Sequence, residues 1–357
     1  MKPVLSLVVA FAAAGLAMAS PEEAGAQQQS NATVRVASYG GGFTAAQKKF
    51  AGDIYSTRTG VKIQYIDGTS RDFLAKMIAS KGREPPFDVV YLEQDVQADA
   101  IEAGVLAKID PKIVTNLAFL YDEAKNHDGY GPGHIFYSVG ITYNYEKFKE
   151  AGIPDPTSWN DLWNPKLAGR VAVPDLAQIF GRQFVIAAAW LKGGTERAPE
   201  VGVDYIATLK AHSYYTSSAT LTAQFQSGEV WAAPWINGRS WALIDRGAPI
   251  RFVIPKEGGF GNINTIDVVA GSKVEKEAQG YINAVLDPLA QLGQANDTPY
   301  GPTNKLLAPV LKEYPELSKK FPASPEDLKQ LHTTDWAEFK KVNAKVVDRW
   351  NRQVLTR

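Results

Sequence analysis

The chain has 357 residues, no cysteine, 38 basic against 38 acidic side chains and 45% hydrophobic residues. Without cysteine there is no disulfide scaffold, thiolate zinc site, cysteine nucleophile or iron–sulfur cluster. The balanced charge argues against a nucleic-acid binder, and the length fits about two domains rather than one core.

Lys2 is followed by an apolar run from Val4 to Met18, shorter than the roughly 20 residues that span a bilayer. Two A-x-A sites follow, Ala17-Met18-Ala19 and Ala24-Gly25-Ala26, and residues 1–26 are expected to be a cleaved secretory signal. Loss of Lys2, Glu22 and Glu23 leaves the mature chain nearly neutral. A large exported chain without cysteine fits the bacterial periplasm, where a core of this size needs no disulfide.

Strands and helices then alternate. A strand over Thr33 to Ser38 ends at Gly40-Gly41-Gly42, and a helix is expected from Thr44, as N-cap, to Thr59, stopped by Gly60. A strand at Val61 to Ile66, a helix at Ser70 to Ser80, a strand at Phe87 to Leu92 and a helix at Val96 to Ala103 complete a βαβαβα series. This order implies a parallel sheet whose ligands bind beyond the carboxyl ends of its strands. The middle repeats the pattern: strands at Ile135 to Tyr143, Gly169 to Val173, Val230 to Ala233 and Ile250 to Ile254, with helices at Gln178 to Leu191, Gly202 to Ala211 and Asn237 to Arg246. Ser158-Trp159-Asn160-Asp161 reads as a capping-box start. A strand returns from Asn264, and the tail is helical at Glu275 to Leu286, Pro288 to Ala295 and Asp335 to Val354. A second α/β lobe is therefore expected.

Enzyme signatures are missing. No phosphate-binding G-x-x-x-x-G-K-[ST], no G-x-S-x-G and no H-E-x-x-H occurs, and the Gly40-Gly41-Gly42 turn lacks dinucleotide-binding spacing. The four histidines are scattered, with only His127 and His134 near one another. No cofactor or metal is expected.

Four segments carry a family resemblance: GITYNYEKFKEAGIPDPTSWNDLWNPKLAGRVAVPD (Gly140 to Asp175), GEVWAAPWINGRSWALIDRGAPIRFVIPKEGG (Gly228 to Gly259), ASYGGGFTAAQ (Ala37 to Gln47) and PYGPTN (Pro299 to Asn304). They resemble the periplasmic solute-binding proteins of ABC importers, and most nearly the spermidine/putrescine-binding branch. The resemblance implies a type II periplasmic-binding fold: two α/β lobes, each a mixed sheet flanked by helices, with the ligand cleft between them and closure by a hinge. It places lobe 1 at 32–138 plus 264–310 and lobe 2 at 139–263 plus 311–357, with crossings at Ile135 to Tyr143 and Asn264 to Ala270. It also implies a monomer that binds a small molecule and delivers it to a membrane permease, with no catalysis.

Polyamine binders of the family line their cleft with carboxylates and aromatic faces. Here Tyr39 keeps an aromatic, Gly41 replaces an acid and Asp175 retains one. Gln178 stands where another acid is expected, and Asn262 and Asn264 stand where the family carries a Trp and an Asp. A polycation would be left under-neutralised. Glu93 and Asp95 follow a strand and are candidates for one ammonium group, with Asp95 alternatively capping the helix near Val96. Arg239 is the candidate anchor for a carboxylate or phosphonate, or alternatively the partner of Asp245 or Asp267. Trp235 is expected to stack on ligand or to fill the core, Ser218 to supply a hydroxyl, and Tyr300 to stand on a late cleft loop. The first alternative is a polyamine (spermidine/putrescine) binding protein; the Tyr214-Tyr215 pair raises ferric-ion binding as another, and a secreted hydrolase is a further one. The leading expectation is a binding component for a small zwitterionic or anionic organic solute, such as an amino acid derivative or aminoalkylphosphonate.

Overall fold

The computed structural model describes residues 30–126 and 128–356, so the expected signal segment and His127 lie outside the described residues. The strands are β1 (Thr33–Ser38), β2 (Lys62–Asp67), β3 (Val89–Glu93), β4 (Leu106–Ala107), β5 (Gly133–Asn144), β6 (Val171–Pro174), β7 (Ala211–Tyr215), β8 (Ala232–Ile236), β9 (Ile250–Val253), β10 (Phe260–Val269) and β11 (Gly301–Pro302). The helices that position the site are α1 (Gly41–Gln47), α2 (Ser70–Ala79), α3 (Gln94–Glu102), α4 (Ile179–Trp190), α5 (Ser218–Ser227) and α6 (Asn237–Ile244), and the chain ends on α7 (Trp336–Gln353).

The strands run in the order β2-β1-β3-β10-β5-β8-β6-β7. β1 is parallel to β2 and β3, as the first βαβαβα series predicts. β6 is parallel to β7 and β8, giving the second series the same sense. Between them stand β10 and β5, which are antiparallel to their neighbours. The first half of β5 pairs with β10 and β11, and its second half with β8 and β9. β10 likewise pairs with β5 through Phe260 to Thr265 and with β3 through Asn264 to Val268. Two long strands thus join two α/β lobes, and every residue of both is buried.

Each lobe buries its own apolar layer. Phe73, Met77, Phe87, Val90, Leu92 and Val96 form one cluster under β1 and β3. In the other lobe α4 is buried from Ile179 to Ala189, because it lies between the sheet and the helix Glu200–Ala207. Gly202 permits that approach: a Cβ there would stand 2.1 Å from the Val185 carbonyl oxygen. Arg349 of α7 holds Asp204 through two nitrogens at 2.5 Å, while Lys340 of the same helix reaches Asp99 at 2.7 Å and Glu102 at 2.8 Å on α3.

Several expected boundaries move for identifiable reasons. α1 starts at Gly41 rather than Thr44, because Gly40 and Gly41 take φ of 72° and 56° and Thr44 Oγ1 accepts the Gly40 N–H at 2.9 Å from inside the helix. A π turn, Lys48–Gly52, then interrupts the helical run. The helix expected to reach Ala211 stops at Ala207, and Ala211–Tyr215 pairs with β6 instead; tertiary pairing there overrides local periodicity. The capping box at Ser158 and Asp161 forms, on a 3₁₀ turn over Trp159–Trp163. β10 starts at Phe260, four residues before the expected Asn264.

Candidate functional site

A cavity of about 340 Å³ lies where the strand ends of the two lobes face each other. Much of its wall is built from strand-to-helix turns. One lobe contributes Tyr39 to Gly42 between β1 and α1, Gly68 to Ser70 between β2 and α2, and Glu93 between β3 and α3. The other contributes Ala177 and Gln178 before α4, Thr216 to Ala219 at the start of α5, and Ile236 with Arg239 at the start of α6. Helix N-termini present unpaired backbone N–H groups and the positive end of the helix dipole, so their convergence favours an anionic group in the cavity. Phe43, Tyr137, Phe180 and Leu243 supply apolar surface between the polar turns.

Arg239 lies on this wall, half-buried, one turn into α6. Its Nη2 approaches the Gly40 carbonyl oxygen at 3.4 Å, and the guanidinium also meets the Tyr300 hydroxyl. Neither expected ion-pair partner takes it. Asp245 is held by Lys320 at 2.6 Å, and Asp267 by Gln97, Gly131 and Thr265. Gly41, across the cavity, leaves the space Arg239 occupies: a Cβ at 41 would come within 3.3 Å of its Nη1. The α6 N-terminus is itself pinned, since Asn237 accepts the Ser138 N–H at 2.8 Å and donates to the Pro299 carbonyl at 2.8 Å. Arg246, which sequence reasoning missed, also reaches the wall. It stands two residues past the end of α6, and its place at the end of the helix expected over Asn237 to Arg246, seven residues from Arg239, was the available signal.

The opposite wall is a polar cluster. Tyr39 Oη accepts from Asn264 Nδ2 at 2.8 Å and is 2.9 Å from Ser70 Oγ, which in turn accepts the Glu93 N–H at 3.1 Å. Asn264 Oδ1 is buried with no hydrogen-bond donor. Burial, then repulsion from Asp95, pushes the Glu93 carboxyl up to about 7, against the opposing pull of Arg182 and Arg71. It is the only acidic residue among the described residues that line the cavity. Burial also raises the hydroxyls of Tyr39 and Tyr137 well above the ordinary tyrosine value.

Of the other expected residues, Gln178 lines the cavity and donates to the Thr216 carbonyl, Ser218 lines it while accepting from Trp235 Nε1 at 3.2 Å, and Tyr300 lines it from the late loop. Four expected contacts lie away from the wall. Asp95 is buried behind Glu93, where its Oδ2 accepts from Arg182 at 2.8 Å and Arg71 at 2.7 Å, and it does not line the cavity. Asp175 turns back to the Ala177 N–H at 2.8 Å. Trp235 is fully buried and stacked on Phe225, with ring centroids 5.9 Å apart, so it fills the core. Asn262 exchanges hydrogen bonds with Gln183 at 2.8 and 3.2 Å inside the second lobe. The Tyr215 hydroxyl donates to the Pro234 carbonyl, and no group of three or more His, Asp or Glu residues that could hold a metal occurs among the described residues.

Two α/β lobes joined by two long strands, with strand-to-helix turns of both facing one cavity, define a type II periplasmic binding protein. The chain belongs to the bacterial extracellular solute-binding proteins, whose family pattern matches residues 48–326. It is 25% identical over 268 residues to the spermidine/putrescine-binding periplasmic protein of Escherichia coli, covering 71% of this chain and 75% of that one. An ABC transporter structure from Clostridium perfringens is 26% identical with a TM-score of 0.67, covering 90% of this chain and 99% of that one. The PBP AgtB of A. tumefaciens R10, solved with agropinic acid, superimposes with a TM-score of 0.75 at 22% identity, covering 92% of this chain and 100% of that one. The protein is thus a solute-binding component of the ABC-transporter type and not an enzyme. No helix among the described residues is long and apolar enough to cross a membrane.

Proposed function

We propose that this protein captures a small organic acid, anionic or zwitterionic, in the periplasm and delivers it as a monomer to an ABC permease. Amino acid derivatives and aminoalkylphosphonates are the leading classes. The observation that carries the proposal is Arg239: a half-buried guanidinium with no carboxylate partner among the described residues, on a cavity wall that Arg246 and converging helix N-termini also line. A carboxylate or phosphonate there gains charge-assisted bonds that the protein leaves unmade. A polyamine, the ligand in the name of the Escherichia coli relative, would meet two guanidiniums and one carboxyl, a balance of the wrong sign. The volume of about 340 Å³ suits a small solute.

Isothermal titration with an ω-amino acid, an α-amino acid, an aminoalkylphosphonate and spermidine tests this reading. Binding of one or more acids with weak or no binding of spermidine is expected. Tight binding of spermidine alone would overturn it.

A further inference from the structure

Resting on the reading that Arg239 anchors an acid, we propose that the ligand also carries an ammonium group, held on the opposite wall by Glu93 and the side-chain carbonyl of Asn264. These residues are directly paired across β3 and β10, and both line the cavity. Directly opposed residues of an antiparallel pair carry their side chains on one face with Cβ atoms about 5 Å apart, a spacing that one ammonium bridges. Both groups are acceptors. Asn264 is 3% exposed, its Nδ2 is used by Tyr39, and its Oδ1 has no donor. A buried carbonyl at a cavity wall without a donor costs free energy that a ligand N–H recovers.

The charges around Glu93 leave it room for a cation. Arg182 of α4 puts its Nη2 2.8 Å from Asp95 and only 3.7 Å from Glu93. Arg71 of α2 is 2.7 Å from Asp95 and 3.8 Å from Asp99. Both guanidiniums are therefore committed first to Asp95. From the other elements packed on Glu93 come the Ile179 N–H of α4, the hydroxyls of Tyr39 and of Tyr137 on β5, and Ser70 Oγ, which accepts the Glu93 main-chain N–H. Among charged side chains, Asp95, Arg182 and Arg71 act on Glu93 most strongly. A second acid group of the ligand fits this wall badly, because its oxygens would oppose the Asn264 carbonyl. A hydroxyl could donate to either acceptor but would not compensate an ionised, buried carboxylate. An ammonium satisfies both groups, favours ionised Glu93 and releases the proton that the unliganded protein holds below neutral pH.

Matched ligands separate the two ends of the cavity. Titrations at pH 6.5 would compare 5-aminopentanoate with pentanoate and 5-hydroxypentanoate, together with the three- to six-carbon homologues and the matching α-amino acids. The amino compound should bind at least about 30-fold more tightly than its deamino and hydroxy counterparts, as expected for two buried charge-assisted contacts. Repeating the titration in buffers of different ionisation enthalpy should reveal proton release on binding, and amino-acid affinity should rise from pH 6 to pH 8. Glu93→Gln should abolish both the amino preference and the proton release. Equal affinity for amino and deamino acids, or a preference that survives in E93Q, overturns the ammonium site while the acid anchor stands. If neither these acids nor an aminoalkylphosphonate binds, the organic-acid reading itself falls.

Discussion

Replacing Arg239 by alanine separates ligand binding from folding, because this guanidinium has a place in the cavity but no ion-pair partner among the described residues. Among the described residues its acceptors are the Gly40 carbonyl, at a long 3.4 Å, and the Tyr300 hydroxyl. Losing them should change unfolding free energy by no more than about 1 kcal/mol. Loss of the contacts to a bound acid, in contrast, should cost at least about 2 kcal/mol, close to 30-fold in Kd. Arg239→Lys should recover part of this, since an ammonium keeps the charge and loses the fork that grips two acid oxygens. The assay is isothermal titration of wild type, Arg239→Ala, Arg239→Lys and the exposed control Arg251→Ala, each checked by urea unfolding. Arg251 pairs with Asp155 on the surface at 2.8 Å, so its loss should leave affinity untouched. Unchanged affinity in folded Arg239→Ala, or an equal loss in the Arg251 control, would refute the reasoning.

Two further outcomes follow from the buried charges. Arg182 is 2% exposed and shares Asp95 with Arg71, so Arg182→Met, which leaves Asp95 one guanidinium, should cost about 1.5–3 kcal/mol in urea unfolding, as loss of a charged hydrogen bond does; a loss below about 0.5 kcal/mol would contradict its role. The pH dependence of stability contains opposed contributions. Burial pushes His134 down to about 3, so below its unfolded value near 6.5 the unfolded chain binds the extra proton, and acidification from pH 6.5 to 4.5 costs up to about 2.7 kcal/mol. Burial pushes Asp267 up to about 6, so the folded chain binds the extra proton between pH 6 and 3.8, recovering up to about 2 kcal/mol by pH 4.5. Urea midpoints measured between pH 4.5 and 6.5 should therefore fall more steeply on acidification in Asp267→Asn than in wild type. Parallel curves would show that Asp267 titrates normally in the folded state.

The alternation of strands and helices was legible because glycines and prolines punctuate it and each strand feeds a helix. The same regularity exposed much of the site. Tyr39, Glu93, Gln178, Ser218 and Arg239 all lie at or just beyond a strand's carboxyl end, where an α/β sheet opens its crevice. Expectations failed where the direction of one side chain mattered. Trp235 and Ile236 are neighbours on β8, yet only Ile236 faces the cavity, because successive strand residues point to opposite sides. Asp175 was captured by a backbone N–H two residues on, as short acidic side chains in turns often are. Asp95 was captured by Arg71 and Arg182, and Arg182 lies 87 residues away, beyond the reach of local pattern. Phe180 and Tyr137 come to the wall through packing between elements, for which the sequence carried no signal.

The central claim is that an organic acid occupies the cavity with its acid group on Arg239. Native mass spectrometry of the protein as purified, followed by release and mass determination of any bound molecule, tests it most directly. The expected result is a small acid, bearing a carboxylate or phosphonate, retained by the wild type and absent from Arg239→Ala. A polyamine recovered from the wild type, or the same molecule retained by both proteins, would contradict the claim.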